Sequence, residues 1–236
     1  MCCLVTSQHI TFTIVNNCSD QSIWPALTGN TSLIGSPNPL TSSSPLFPKQ
    51  SIQTFPIPLP WSGRIWARQF CASDGTNCLI GDCSESTCWG YSSQNTSLFE
   101  ITASDLQVVY DVSLVDGFTM GITSIPTSKI CETISCQVPP YLGFRESGKP
   151  LCPESNMRSF QKHGNLSQAY ACLSDCSLYG LEQYCCFDDF ETPGACEPSS
   201  QWFKVACPDA YSFAFDDSVL RHCELTDFTI VFGCPA

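Results

Sequence analysis

The segment CLSDCSLYGLEQYCCFDDFETPGAC, residues 172–196, carries five cysteines. Thiols at this density can bind a metal ion, form a redox centre or close disulfides. Structural zinc sites and thioredoxin-like redox centres both favour the C-x2-C spacing, which occurs nowhere in the chain. The three histidines, His9, His163 and His222, supply no zinc-finger spacing. We therefore expect disulfides in this segment, and neither a metal nor a cofactor.

The cysteine count of the whole chain supports the same interpretation. The chain has 18 cysteines, and setting aside Cys2 and Cys3 leaves an even number that permits complete pairing. Cys185 and Cys186 are adjacent, so their side chains diverge and each sulfur needs its own partner. Spacing alone does not fix which cysteines pair. Because disulfides persist in oxidising compartments, we expect a secreted protein, and the N-terminal MCCLVTSQ is either the remnant of a signal or an unusual start.

The composition restricts the possible partners. The 236 residues suffice for one large domain, or for a large domain with a small satellite. Only 10 Lys and Arg stand against 22 Asp and Glu, which gives a formal charge of −12. Such a surface repels nucleic acid and anionic membranes, whereas a neutral polysaccharide suits it. We also find no apolar run as long as a transmembrane helix.

Most of the chain is predicted to form strands. Alternation of apolar and polar residues, or enrichment in β-branched and aromatic residues, marks five segments: HITFTIVNNC, GRIWARQF, TSLFEIT, LQVVYDVSLVDG and DFTIVFGC. The proline- and serine-rich residues 36–60 indicate an extended loop with at most edge strands. Many short strands with little helical pattern favour a β-sandwich or barrel.

The segment from about Leu151 to Glu197 differs, since it holds six cysteines and few large apolar residues. It is expected to form a small disulfide-held lobe that cannot fold unaided. Within it, Ala169, Cys172, Leu173 and Cys176 recur at helical spacing. A short helix is therefore predicted here, with Ser167 able to cap its start and Gly180 its end.

Several blocks together resemble one family. GTNCLIGDCSESTCWG resembles the signature of the thaumatin family, and YDVSLVDGF, QYCC, CPDAYSFAFDD and the terminal FGCPA are similar to further family blocks in the same order. The resemblance extends from Ile10 to the end and implies a secreted plant protein of the pathogenesis-related type. It also implies a mainly β fold: a flattened antiparallel β-sandwich or barrel with a small disulfide-rich lobe carrying a short helix. The corresponding boundaries are 9–130 for the first part of the sandwich, 131–150 for connecting loops, 151–197 for the lobe and 198–236 for the returning strands.

The resemblance implies eight disulfides by order along the chain. They are Cys18–Cys234, Cys71–Cys78, Cys83–Cys88, Cys131–Cys223, Cys136–Cys207, Cys152–Cys172, Cys176–Cys185 and Cys186–Cys196.

The resemblance further implies an acidic cleft between the sandwich and the lobe. By motif match its residues are Arg64, Glu100, Asp111, Asp116 and one of Asp216 and Asp217. Phe99 and Ile101 point inward, so Glu100 should point out of its sheet. Asp111 and Asp116 are an odd number of residues apart, so a regular strand would place them on opposite faces. The turn at Asp116-Gly117 must re-aim Asp116 if both line one cleft.

From this resemblance we expect a monomer that binds β-1,3-glucan of fungal walls in the cleft and acts against fungi. Trp66 or Tyr91 could stack on sugar rings, and Arg68 could be only a structural ion-pair partner. The alternatives are a weak endo-β-1,3-glucanase that uses cleft carboxylates, and a membrane-permeabilising protein, which the net charge disfavours. Of four N-x-Ser/Thr sequons, Asn30, Asn95 and Asn165 are glycosylation candidates, whereas Asn17 directly precedes a cysteine.

Overall fold

The computed structural model describes residues 8–30, 40, 45–83, 88, 95–137, 151–161 and 168–234, with backbone alone at 50–54, 161 and 168–170. Cys2, Cys3, Tyr91, His163, Asn165 and Ser167 lie outside the described residues, so the predictions made for them stay untested. Of the other sequons, Asn17 and Asn30 are exposed and Asn95 is half-buried.

Two five-stranded sheets form the body of the molecule. The first consists of β1 His9–Asn16, β3 Gln50–Pro58, β7 Gly121–Pro126, β8 Ile134–Cys136 and β12 Phe228–Gly233, in the order β3-β1-β12-β7-β8. The second consists of β2 Ile23–Gly29, β4 Trp61–Gln69, β5 Leu98–Ala103, β6 Gln107–Ser113 and β11 Arg221–Glu224, in the order β11-β6-β5-β4-β2. The strand from the proline-rich segment, β3, lies at an edge of its sheet, where missing backbone donors are tolerated.

Most strand pairs are antiparallel, but β1 and β12 are parallel, with Phe12 opposite Phe228 and Ile14 opposite Ile230. These two strands come from opposite ends of the chain, so no hairpin turn constrains their direction. The Cys18–Cys234 disulfide closes the pair just beyond its end.

Aromatic residues from both sheets meet in the core between them. The ring of Phe12 lies 5.8 Å from that of Trp61 and 6.3 Å from that of Phe99, and the ring of Phe228 lies 4.9 Å from that of Tyr110. All five side chains are buried. The inward positions of the alternating segments therefore form a sandwich core, as the sequence predicted.

The lobe combines a two-stranded sheet with short helices. Its elements are β9 Met157–Gln161, β10 Gln168–Cys172, α1 Asp175–Tyr179, α2 Glu182–Cys185 and a 3₁₀ turn at Asp188–Phe190. The next helix, α3 Trp202–Ala206, follows the lobe, and its Phe203 packs into the sandwich core. The helix prediction was wrong at its start: Ala169 and Cys172 lie on β10, and Ser174 caps α1 by accepting a hydrogen bond from the Ser177 N–H. Gly180 ends α1 in the left-handed region, as predicted.

The sixteen cysteines from Cys18 to Cys234 form the eight pairs that the resemblance implied. Three of them, Cys152–Cys172, Cys176–Cys185 and Cys186–Cys196, lie within the lobe. The adjacent Cys185 and Cys186 have different partners, in agreement with the argument from chain geometry. The described part of the chain contains no helix that is long and apolar enough to cross a membrane.

Candidate functional site

One row of charged residues crosses three strands of the second sheet. Arg64 on β4 is directly opposite Glu100 on β5, and Glu100 is directly opposite Asp111 on β6. Directly opposed residues project from the same face, so register alone brings these three side chains together. The neighbours of Glu100, Phe99 and Ile101, are buried on the other face. The outward direction predicted for Glu100 is therefore observed.

Asp116 joins the row through a turn. Strand β6 ends at Ser113, and the Gly117 N–H donates to the Leu114 carbonyl at 2.9 Å. Gly117 has a φ of 125°, and a Cβ there would lie 2.8 Å from the Cys172 carbonyl oxygen, so the turn requires glycine. This turn brings Asp116 to the same side as Asp111, as the sequence argument demanded. The Ser177 hydroxyl of α1 donates to the Asp116 carbonyl at 2.9 Å and ties the turn to the lobe.

The ambiguity between Asp216 and Asp217 is resolved by their contacts. Asp217 accepts a hydrogen bond from the Tyr211 hydroxyl at 2.9 Å, and both residues line the cleft. Asp216 is instead buried, pairs with Lys204 at 2.8 Å, and accepts from the backbone and hydroxyl of Ser212 at 3.0 Å. Asp216 therefore does not line the cleft but holds the loop that presents Tyr211 and Asp217.

Sequence reasoning missed Tyr211, although it lies in the block CPDAYSFAFDD. Its N–H donates to the Val112 carbonyl, and its own carbonyl accepts from the Leu114 N–H, each at 2.9 Å. The residue thus extends the sheet beside Asp111. Only this long-range pairing assigns it to the site, and the local sequence carries no sign of the pairing.

Together these residues surround an open cleft of about 390 Å³, which we call the trough. It is lined by Arg64, Leu98, Glu100, Asp111, Ser113, Val115, Asp116, Tyr211, Ala214 and Asp217. Four carboxyl groups therefore face one guanidinium. The Arg64 guanidinium lies 3.5 Å from a Glu100 oxygen and 3.8 Å from an Asp116 oxygen, and all three side chains are about one-third exposed.

Burial changes the proton affinity of two of the acids. Asp111 is 9% exposed, and its Oδ1 has no hydrogen-bond partner among the described residues. Burial, reinforced by Glu100 and Asp217 and opposed by Arg64, raises the pKa of Asp111 to about 8. Asp116 is more exposed, and burial, opposed by Arg64 and reinforced by Glu100, raises its pKa to about 6. Burial and the hydrogen bond to Asp217 also raise the pKa of Tyr211.

This arrangement can both donate and accept hydrogen bonds. A neutral Asp111 and the Arg64 guanidinium donate, whereas the oxygens of Glu100 and Asp217 accept. Such a mixture suits the vicinal hydroxyls of a neutral sugar. A carboxylic acid that keeps its proton near neutral pH beside other carboxylates also meets a minimal requirement of glycoside hydrolysis.

Trp66, suggested as a sugar-stacking residue, and its strand neighbour Arg68 both lie outside the trough. Trp66 is fully buried and its indole N–H donates to the Gly81 carbonyl at 2.9 Å, so stacking of a sugar on Trp66 is excluded. Arg68 is also buried, and it donates to the Gly75 carbonyl at 2.9 Å. Both side chains are covered by the loop after β4, which alternation along the strand did not reveal. Within the described ranges, no three or more His, Cys, Asp or Glu side chains are grouped so that they could hold a metal ion.

Comparison with known proteins gives a consistent result. A sequence model of the thaumatin family matches residues 16–235. Pathogenesis-related thaumatin-like protein 3.5 of Cryptomeria japonica is 36% identical over an alignment of 240 residues, which covers 95% of this chain and 90% of that protein. A glucan endo-1,3-beta-glucosidase of Prunus avium is 35% identical over 219 residues, covering 88% of this chain and 82% of that protein.

Among solved structures, a laminaripentaose-producing β-1,3-glucanase in complex with laminaritetraose superposes with a TM-score of 0.51 at 13% identity. The match covers 94% of this chain and 98% of that one. At this identity the likeness concerns the fold.

Proposed function

This chain belongs to the thaumatin family, and we propose that it is a secreted plant-defence protein that binds β-1,3-glucan of fungal walls in the trough. The observation that carries the proposal is the row of Arg64, Glu100 and Asp111, joined by Asp116 and Asp217 around one open cleft. Eight disulfides support secretion, since such bonds persist in oxidising compartments. The name of the Prunus avium relative supports a β-1,3-glucan as the ligand.

Retention on insoluble β-1,3-glucan tests the binding. Glu100→Gln replaces a carboxylate oxygen by an amide nitrogen and should weaken retention about 10- to 100-fold, the loss of one hydrogen bond to a charged group. Asp111→Asn replaces a neutral carboxyl group and should weaken retention less, about 2- to 10-fold, the loss of one hydrogen bond between neutral groups. Asp105→Asn is the matched control, because Asp105 is exposed and lies outside the trough. If both trough variants bind like the parent protein, the trough is not the binding site.

Slow endo-β-1,3-glucan hydrolysis is the second candidate, and the raised pKa of Asp116 favours it. Asp116 is accessible and retains a proton over part of the physiological pH range, as a general acid must. Glu100, which shares Arg64 with it, is then the candidate second carboxylate. Release of short oligosaccharides from soluble β-1,3-glucan, abolished by Asp116→Asn, would establish hydrolysis. A flat time course at high protein concentration would exclude it.

A further inference from the structure

A second cavity, of about 500 Å³, lies in the lobe. One of its walls comes from the segment running from α1 to the Asp188–Phe190 turn, and the other comes from residues 195–202. Its volume is within the range typical of small-molecule sites. We call it the lobe cavity, and we propose that it is a second saccharide-binding site that takes a neutral pyranose chain.

The lining of the lobe cavity differs in kind from that of the trough. Three aromatic side chains, Tyr184, Phe190 and Trp202, face it together with the amides of Gln183 and Gln201. No lysine or arginine is among the described lining residues, so the cavity offers no counter-ion to phosphate, sulfate or carboxylate groups. A pyranose ring presents an apolar face of C–H groups and an edge of hydroxyls. Aromatic rings match the face, and amides, which both donate and accept, match the edge.

A cationic ligand is the main competitor, since aromatic rings and acids also bind ammonium groups. Two acids, Asp175 and Glu197, line the cavity. Both oxygens of Asp175 are already engaged, one by the Asn156 amide at 3.2 Å and the other by the Ser200 N–H at 3.1 Å. This leaves Glu197, which is exposed. The hydrogen-bonding groups that remain free inside the cavity are mainly neutral, which suits a neutral ligand. Because hydrogen bonds from neutral donors do not cancel the charge of a carboxylate, tetramethylammonium is titrated as well, to test a cationic ligand.

Hydrogen bonds and disulfides hold the walls of the lobe cavity in place before any ligand binds. Asp175 and Ser200 join the two walls reciprocally, since the Asp175 N–H donates to the Ser200 hydroxyl at 2.8 Å while the Ser200 N–H donates to the Asp175 carboxylate. Cys186–Cys196 links the walls covalently, and Cys176–Cys185 links α1 to α2. A ligand therefore meets a preformed site and has little ordering cost to overcome.

Helix α1 connects the two sites. Asp175, its first residue, lines the lobe cavity, whereas Ser177 bonds to the turn that carries Asp116 of the trough. An α-helix with its side chains is about 10–12 Å across, so the two sites are close enough for one polysaccharide chain to contact both. The proposal of a second site depends on the proposed function in one respect only, which is that β-1,3-glucan is chosen as the first sugar to test.

The experiment isolates the lobe cavity by using a Glu100→Gln/Asp111→Asn background, in which trough binding is weakened. The full chain is labelled with 5-fluorotryptophan, the resonance of Trp202 is assigned with Trp202→Phe, and β-1,3-linked glucohexaose is titrated. The Trp202 resonance should shift saturably. Tyr184→Ala should weaken this binding about tenfold, the loss of one aromatic contact surface.

The matched control is Phe187→Ala, which removes an exposed aromatic residue of the same lobe that does not line the cavity. It should leave the titration unchanged. If Tyr184→Ala does not fold, Gln183→Ala is tested in its place, because Gln183 is exposed. This variant should also weaken binding of the hexasaccharide. Chitohexaose is titrated in a parallel arm to distinguish which neutral sugar the site prefers, and a shift with either sugar supports the proposal.

Three outcomes would overturn the proposal. In the first, neither hexasaccharide moves the Trp202 resonance although the parent protein binds glucan through the trough. In the second, Tyr184→Ala and the control variant Phe187→Ala bind equally. In the third, tetramethylammonium moves the resonance and the sugars do not. Failure of the trough function has a different signature: the parent and the background variant then bind the hexasaccharide alike, and Tyr184→Ala weakens the binding by the same factor in both.

Discussion

The trough and the lobe cavity both adjoin helix α1, yet the molecule holds their side chains in different ways. In the trough, strand register aligns Arg64, Glu100 and Asp111, and the sandwich core fixes that register. In the lobe cavity, short helices and turns are held by disulfides and by the Asp175–Ser200 bonds. The trough should therefore respond to changes in apolar packing, whereas the lobe cavity should respond to changes in covalent cross-links.

The largest expected effect comes from the sandwich core. Phe228→Ala removes a buried ring that packs against Phe99 and Tyr110, residues on the strands that also carry Glu100 and Asp111. The loss should lower the free energy of unfolding by about 3–5 kcal/mol. Denaturant unfolding with the disulfides intact measures it. Phe187→Ala, at an exposed lobe position, should change it by less than about 0.5 kcal/mol. Equal losses in the two variants would show that the sandwich core contributes no more to stability than an exposed side chain of the lobe.

The second effect is the pH dependence that Asp111 gives the trough. The pKa of its carboxyl is about 4 in an unfolded chain and is raised to about 8 in the folded protein. Between these values the folded state holds a proton that the unfolded state has released, so this residue lowers stability as pH rises. The stability of Asp111→Asn relative to the parent protein should therefore rise by about 1.4 kcal/mol per pH unit between the two pKa values, or about 3 kcal/mol from pH 5 to pH 7.

Urea unfolding of both proteins across that pH range measures the difference, which removes the contributions of acids that do not interact with Asp111. Asp105→Asn serves as the control and should follow the parent protein at every pH. A constant difference between Asp111→Asn and the parent protein would show that Asp111 has an ordinary pKa in the folded state.

The third effect concerns the lobe. Replacing Cys186 and Cys196 together by serine opens a loop with a sequence separation of 10, which should cost about 2–3 kcal/mol. Hydrogen exchange should show faster amide exchange in residues 175–200, while β5 and β6 keep their protection. Glucan retention through the trough should persist. Faster exchange in β5 and β6 as well would show that the sandwich depends on the lobe.

The smallest effect on stability is expected for Glu100→Gln, the variant whose binding to glucan should weaken most clearly. The Arg64–Glu100 pair is about one-third exposed, so Glu100→Gln should change the free energy of unfolding by about 0.5 kcal/mol or less. The same variant should lose glucan retention. A large loss of stability in thermal unfolding would mean that Glu100 serves the fold more than the ligand.

Some of this structure could be predicted from the sequence because the signals are local. Alternation gives the outward direction of Glu100, and adjacency separates the partners of Cys185 and Cys186. The odd spacing of Asp111 and Asp116 shows that a turn must intervene, and Gly117 supplies it.

Other features depend on contacts between distant segments. The sequence did not reveal these contacts. The spacing of Ala169 and Cys172 fits a helix, but pairing with β9 makes this segment a strand. Alternation places Trp66 on the face of Arg64, but it does not say that a loop covers Trp66. Tyr211 reaches the trough through a segment that pairs with the end of β6 from far along the chain.

The Cys18–Cys234 bond turns the chain between those residues into a closed covalent ring. A protease that nicks this ring once opens it without releasing a fragment, because the two pieces stay joined at the bond. A fragment is released only after two cleavages. The fragment must also contain no cysteine that a disulfide joins to the rest of the chain. Resistance to degradation in a protease-rich setting is thus a property of the connectivity of the chain, separate from the stability of any strand or helix.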